Sequence, residues 1–199
     1  MIKLYNFSKI SDSTLLPVLK AAKAAVRCPG DVVVKVTRGG SRSEARMADY
    51  VSKSVLSSRS HIKYSPKGVE ILRKGWVKTD GGYIVLSPRW FRDPIWGSLN
   101  MAEYIFENAM HEFAHIREFI EKDKLSKMPF NKEVKKKLNE LKFSGYNRPW
   151  KFRPHERRAV AATIEAQGRV ESDWTLEDKI KLQDCILDLA IEIDEKRKR

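Results

Sequence analysis

His111, Glu112, Phe113, Ala114 and His115 set two imidazoles four positions apart, with a carboxylate between them. On an α-helix, residues four apart stand one turn above each other on one face, so both rings can ligate a single zinc ion. Glu112 falls about 100° round the helix from His111 and flanks that face. There it is placed to take a proton from a metal-activated water as the water attacks a carbonyl carbon, then to deliver it to a leaving amine. With 4 His and 15 Glu among 199 residues, random placement yields this His-Glu-x-x-His pattern with a probability of about 0.6%. Coincidence explains it poorly.

The pattern needs a helix and a third ligand. Leu99, Met101, Ala102, Ile105, Phe106, Ala109, Phe113 and Ile116 recur at helical intervals and predict a helix from Ser98 to Glu121, uninterrupted by Pro or Gly. Zinc requires a third protein donor and an open fourth position for water. Glu118 follows His115 by three, but at 1.5 Å per residue it lies about 10 Å along the axis from His111, too far to share one ion with both histidines. It is assigned to the surroundings of the imidazoles or to solvent, alongside Glu107 and Tyr104, which are placed to orient the rings by hydrogen bonds. The stronger candidate is Glu156, within Arg153-Pro154-His155-Glu156-Arg157-Arg158-Ala159. Pro154 marks the first turn of a second helix, and the small side chains of Ala159, Ala161 and Ala162 let that helix approach the first closely.

Residues 111 to 115, together with Pro154-x-Glu156-x-x-Ala159, resemble the zincin metallopeptidases, and within them the gluzincin type, whose third ligand is a glutamate on a second helix downstream. The resemblance covers two short motifs and the elements around them, roughly 81 to 168. It implies His111, His115 and Glu156 as zinc ligands and Glu112 as general base. It further implies that Gly82 to Ser87, the strand before the active helix, is the edge to which an extended peptide substrate adds by main-chain pairing. His155 is the competing third ligand, as in relatives with three histidines, although no histidine follows His115 at the short spacing and the glycine turn those relatives use is absent. A peptidase of this kind also needs a group to stabilise the oxyanion. Tyr146, His155 and Arg153 are near in sequence, and Tyr146, in Ser144-Gly145-Tyr146-Asn147, is the one assigned a catalytic role.

Around these motifs the chain supplies a scaffold. Leu15, Leu16, Leu19, Ala22 and Val26 predict a helix over Ser13 to Arg27, ended by Pro29-Gly30, and Val32, Val33, Val34 and Val36 predict a strand. Glu44 to Ser60 is ambiguous, with a short helix expected around Met47 to Val55. Further strands are expected near Ser60 to Tyr64, Glu70 to Lys78 and Tyr83 to Ser87, the last two joined as a hairpin through Thr79-Asp80-Gly81-Gly82. A charged helix over Asn131 to Lys142, a helix from Pro154 to near Gly168, and a final helix capped by Thr175 and Asp178 complete the pattern. The expectation is one α+β domain over residues 1–199, zincin-like in architecture. Residues 1–97 give a helix and a small, twisted, mainly antiparallel sheet packed on the His111 helix, and 98–199 a helical half that carries Glu156 across the cleft. The acidic final helix, with its regular apolar stripe, is expected to pack as core rather than to cover the cleft as an inhibitory lid.

Charge and composition bound the remaining possibilities. The apolar runs fall far short of the ~20 residues that cross a bilayer, and no export signal is visible at the amino end. Neither a disulfide scaffold nor a cysteine zinc site is expected from Cys28 and Cys185, and a reducing, cytoplasmic setting follows. Against 26 Asp plus Glu stand 39 Lys plus Arg, a net charge of +13. The excess sits in residues 35–78 and 122–158, while 159–195 is acidic. The leading expectation is therefore a soluble zinc-dependent peptidase acting on a peptide or protein. The alternative is a basic nucleic-acid-binding protein with a structural or inactive zinc site, or a protease associated with DNA. Phe130, Phe143, Tyr146, Trp150 and Phe152, interleaved with the second basic block, would then stack on unpaired bases.

Overall fold

A computed structural model describes residues 1–37, 43–46, 50–57, 76–79, 81–87, 97–141, 149 and 152–198. The chain opens with a strand that the periodicity does not announce, β1 (Ile2–Asn6), followed by helix α1 (Asp12–Ala25) and strand β2 (Val32–Val36). β1 and β2 are parallel, with Ile2 opposite Val32 and Asn6 opposite Val36. Parallel neighbours need a long crossover, and α1 provides it.

β3 (Glu44–Arg46), β4 (Tyr50–Ser52), helix α2 (Lys53–Ser57), β5 (Trp76–Lys78) and β6 (Tyr83–Leu86) follow. The main sheet has the order β1-β2-β6-β3. β6 lies parallel to β2 and antiparallel to β3, so the sheet is mixed, with two parallel pairs and one antiparallel pair, rather than mainly antiparallel.

The hairpin expected through residues 79–82 does not form. β5 pairs with β4 in a separate antiparallel ribbon, while β6 joins the main sheet. The glycines of that segment serve a different purpose from a chain reversal. Gly82 takes a φ of 100°, and the Gly81 amide donates to the Asp31 carbonyl at 2.9 Å. A Cβ on Gly81 would lie 3.1 Å from that same oxygen, so the close approach of two backbones requires glycine there. The helix expected around Met47 to Val55 is replaced by β4 and the shorter α2. The strand expected near Ser60 to Tyr64 lies outside the described residues.

Both faces of the sheet are covered, which explains why Val32–Val36 reads as a continuous apolar run rather than an alternating one. Val32, Val34, Val36, Ile84 and Leu86 enter the principal core beneath the helices. Val33, Tyr83 and Val85 form a second cluster with Val51, Leu56 and Val77 of the ribbon side. Lys35, on that side, is fully buried. Its ammonium lies 5.6 Å from the centre of the Phe7 ring, and burial lowers its pKa.

The second half is helical: α3 (Ser98–Ser126), α4 (Lys132–Glu140), α5 (Pro154–Ser172) and α6 (Leu176–Arg197). α3 runs through the centre of the molecule and ends shortly before Pro129. Asn131 caps α4 by accepting from the Val134 amide, and Thr175 caps α6 by accepting from the Asp178 amide. Gly168 does not stop α5, which continues to Ser172. α6 packs on α3 and α1, burying Leu182, Leu189, Ala190 and Ile193.

Cys28 and Cys185 are free. Among the described residues no helix is long and apolar enough to cross a membrane. Because α6 is core, Leu189→Ala should lose about 2–5 kcal/mol of stability, read as a lower urea midpoint. Deletion of residues 172–199 should abolish cooperative unfolding. Unchanged transitions in both would show that the helix is an appendage.

Candidate metal centre

α3 presents His111 and His115 on consecutive turns, with their Nε2 atoms 3.2 Å apart and their rings perpendicular at 4.8 Å between centres. Pro154 fixes the start of α5, and Glu156 follows in the first turn, where the exposed amides of a helix favour a carboxylate. Its Oε2 lies 3.2 Å from each histidine Nε2. Three donor atoms thus form a triangle with sides of 3.2 Å.

Hydrogen bonds alone account poorly for such a triangle, because an imidazole N–H points along one direction and cannot serve two partners 60° apart. Donors converging on a tetrahedral ion at about 2.0–2.1 Å stand about 3.3–3.4 Å from one another, close to the observed sides. His111, His115 and Glu156 therefore form a cluster that could hold a metal ion. His115 and Glu156 are buried, and His111 is partly open to solvent.

The electrostatics concentrate on two carboxylates. Glu112 is buried at 5% exposure. Burial first, then the charges of Glu156 and Glu44, push its pKa well above the usual carboxylate range. Burial pushes Glu156 in the same direction, but its hydrogen bonds to His111 and His115 outweigh that and hold its carboxyl well below the usual range. Tyr104, half-buried on α3, is raised by burial and by the charges of Glu112 and Glu107.

A layer of contacts around the triangle fixes the two helices. His155 is buried, with Nε2 3.2 Å from Oε1 of Glu156. It faces the oxygen that is turned away from the imidazole pair, so it steers the carboxylate whose other oxygen completes the triangle. Burial lowers the pKa of His155, against the opposing pull of Glu156. Glu118 is buried and accepts two bonds from Arg158, from Nε at 3.1 Å and from Nη2 at 2.5 Å. This bidentate pair joins α3 to α5 one turn beyond His115. Glu107, expected to support an imidazole, instead accepts from Gln167 of α5 at 3.0 Å. The Nδ1 of His115 has no hydrogen-bond partner among the described residues. Its ring is stacked on Phe119 at 6.3 Å and 19°.

On the sheet side, the Asn108 amide donates to Ser43 Oγ at 2.8 Å, tying α3 to the chain entering β3. Glu44, the first residue of β3, acts on Glu112 by its charge. Neither contact carries a local sequence signal, since residues 44 to 60 lack a clear period. The expectation that Gly82 to Ser87 forms a free edge is overturned: β6 has neighbours on both sides, β2 and β3, and among the described residues β3 is the end strand. Tyr146, the residue expected to stabilise an oxyanion, lies outside the described residues, as does His61.

Compared with known protein families, curated proteins and solved structures, the chain finds no match in any of the three.

Two substitutions test the arrangement. His155→Phe should weaken metal binding about 10–100-fold while leaving stoichiometry intact, measured by competition with a chromogenic chelator. Complete loss of the site would make His155 a ligand. Arg158→Met should cost about 2–4 kcal/mol in urea unfolding because it strands the buried Glu118 carboxylate. A wild-type midpoint would show that the pair does not hold α5 to α3.

Proposed function

We propose that the chain is a zinc-dependent metallopeptidase of gluzincin-like design, in which His111, His115 and Glu156 hold zinc and Glu112 is the general base. The observation that carries this reading is the 3.2 Å triangle of two imidazole nitrogens and one carboxylate oxygen on two helices, with a buried carboxylate beside it. Two neutral imidazoles and one carboxylate suit zinc better than the harder magnesium or calcium ions. When bound there, zinc supplies Lewis acidity, lowering the pKa of a water and polarising a carbonyl oxygen.

The chain's own groups divide the remaining work. Glu112 accepts the proton of the attacking water and passes it to the leaving amine nitrogen. Burial favours the neutral, protonated carboxyl in the interval between the two transfers. His155 and the Glu118–Arg158 pair keep Glu156 and α5 in register with α3. The outer edge of β3, which among the described residues pairs only with β6, is where an extended peptide would add by main-chain hydrogen bonds. Tyr146 remains the residue proposed to stabilise the oxyanion. The free thiols of Cys28 and Cys185 support a reducing, cytoplasmic setting.

The test is Glu112→Gln, which keeps the shape and removes the base. Zinc-loaded wild-type protein should cleave a fluorogenic peptide library. The variant should retain one zinc per chain and lose about 10²–10⁴ in rate. A wild-type protein that binds zinc yet cleaves nothing, or a variant as fast as wild type, would sink the proposal.

A further inference from the structure

The lysine-rich segment that closes α3 and forms α4 leaves much of its charge uncompensated. α4 turns Val134 inward, and the helical period places Lys132, Lys135 and Lys136 together on the opposite, exposed face. Lys127 is held by Asp123, and Lys137 by Glu133. Among the described residues, Lys124, Lys132, Lys135 and Lys136 make no ion pair.

Aromatic residues in a basic block ordinarily belong to the core, yet the two described here do not. Phe130, just before the α4 cap, is 75% exposed, and Phe152, just before α5, is 53% exposed. Phe152 lines a shallow, wide-open cavity of about 360 Å³ with Pro154, Arg157, Arg158 and Ala161. Arg158 is engaged by Glu118, whereas Arg157 is exposed and makes no ion pair among the described residues. Among the described residues, no carboxylate lines this cavity. Both patches belong to one end of α3: the Glu118–Arg158 pair anchors α5 there, and α3 ends at Ser126, about 12 Å farther along its axis.

We propose that this surface, the outward lysine face of α4 together with the Phe152 cavity at the start of α5, binds single-stranded nucleic acid. An unpaired base stacks on Phe152, and backbone phosphates lie against Arg157, Lys132, Lys135 and Lys136. A duplex hides the faces of its bases, so only a single strand can use the ring. An acidic peptide would satisfy the lysines but would need an aromatic side chain at one set place to use the ring, whereas every nucleotide carries a base. An anionic bilayer would take the protruding Met128 and Phe130 but leave the concave site empty. The proposal does not depend on the metal centre being hydrolytic.

Fluorescence anisotropy of the full chain with a fluorescein-labelled oligo(dT) of about 15 nucleotides tests it. Four phosphate contacts give a slope of about −2.8 in log K against log salt, so affinity should fall about 50-fold between about 50 and 200 mM salt. Phe152→Ala should bind roughly tenfold more weakly at both salts with the slope unchanged. Replacing Lys132, Lys135 and Lys136 by Gln should make the slope shallower by about 2. Should Phe152→Ala melt early by circular dichroism, Phe152→Leu keeps the apolar contact, removes the ring and should weaken binding by a similar factor. The proposal is overturned by no binding at low salt, by an unchanged affinity without the ring, by an unchanged slope without the lysines, or by a duplex binding equally well. Phosphatidylserine vesicles bound through Phe130, with the oligonucleotide indifferent to Phe152, would assign the surface to a membrane and overturn it as well.

Discussion

The arrangement depends on placing a buried carboxylate against two imidazole nitrogens in a space too small for three independent hydrogen bonds. Glu156 cannot shed its charge cheaply there, since the neighbouring rings favour its ionised form. Glu112, nearby and more deeply buried, is driven the other way by burial and by the charge of Glu156 itself. Two carboxylates and two imidazoles thus crowd around one point with opposing demands. A divalent cation at that point relieves both, because it attracts Glu156 as a ligand and offsets the anionic field at Glu112.

The architecture follows from keeping α3 and α5 in fixed register. α3 is the central helix: one face carries the core that joins α1, α6 and the sheet, and the face toward α5 carries the two histidines. α5 buries small residues, Ala159 and Ala166, in the same core, and is tied to α3 by polar contacts, Glu118 with Arg158 and Glu107 with Gln167. A slide of one helix past the other by a fraction of a turn would break all of these together. The sheet completes the frame, since Asn108 reaches Ser43 and sets the end strand β3 beside the same stretch of α3.

The helices were legible in the sequence because their signals are local. Apolar periodicity located α3 and α6, Pro154 located the start of α5, and the same period put both histidines on one face. Glu156 was legible for a similar reason: its place in a helical first turn is set by the adjacent proline, and only the approach of the two helices had to be supplied. The sheet was less legible. β1 is short and weakly patterned, and its parallel pairing with β2 is a long-range event to which neither segment points. Thr79-Asp80-Gly81-Gly82 carries a hairpin composition, yet its glycines answer to a positive φ and to the close approach of Asp31. The roles of Arg158, His155 and Glu44 were hidden because each depends on what another element brings to it. Arg158 reads as one more surface cation until Glu118 is found beneath it.

The most direct measurement is anomalous X-ray scattering at the zinc absorption edge from crystals of the zinc-loaded protein. One dominant peak is expected, about 2.0–2.1 Å from Nε2 of His111, Nε2 of His115 and a carboxylate oxygen of Glu156. A peak elsewhere, or one bound by the histidines with the Glu156 carboxylate turned away, would contradict it.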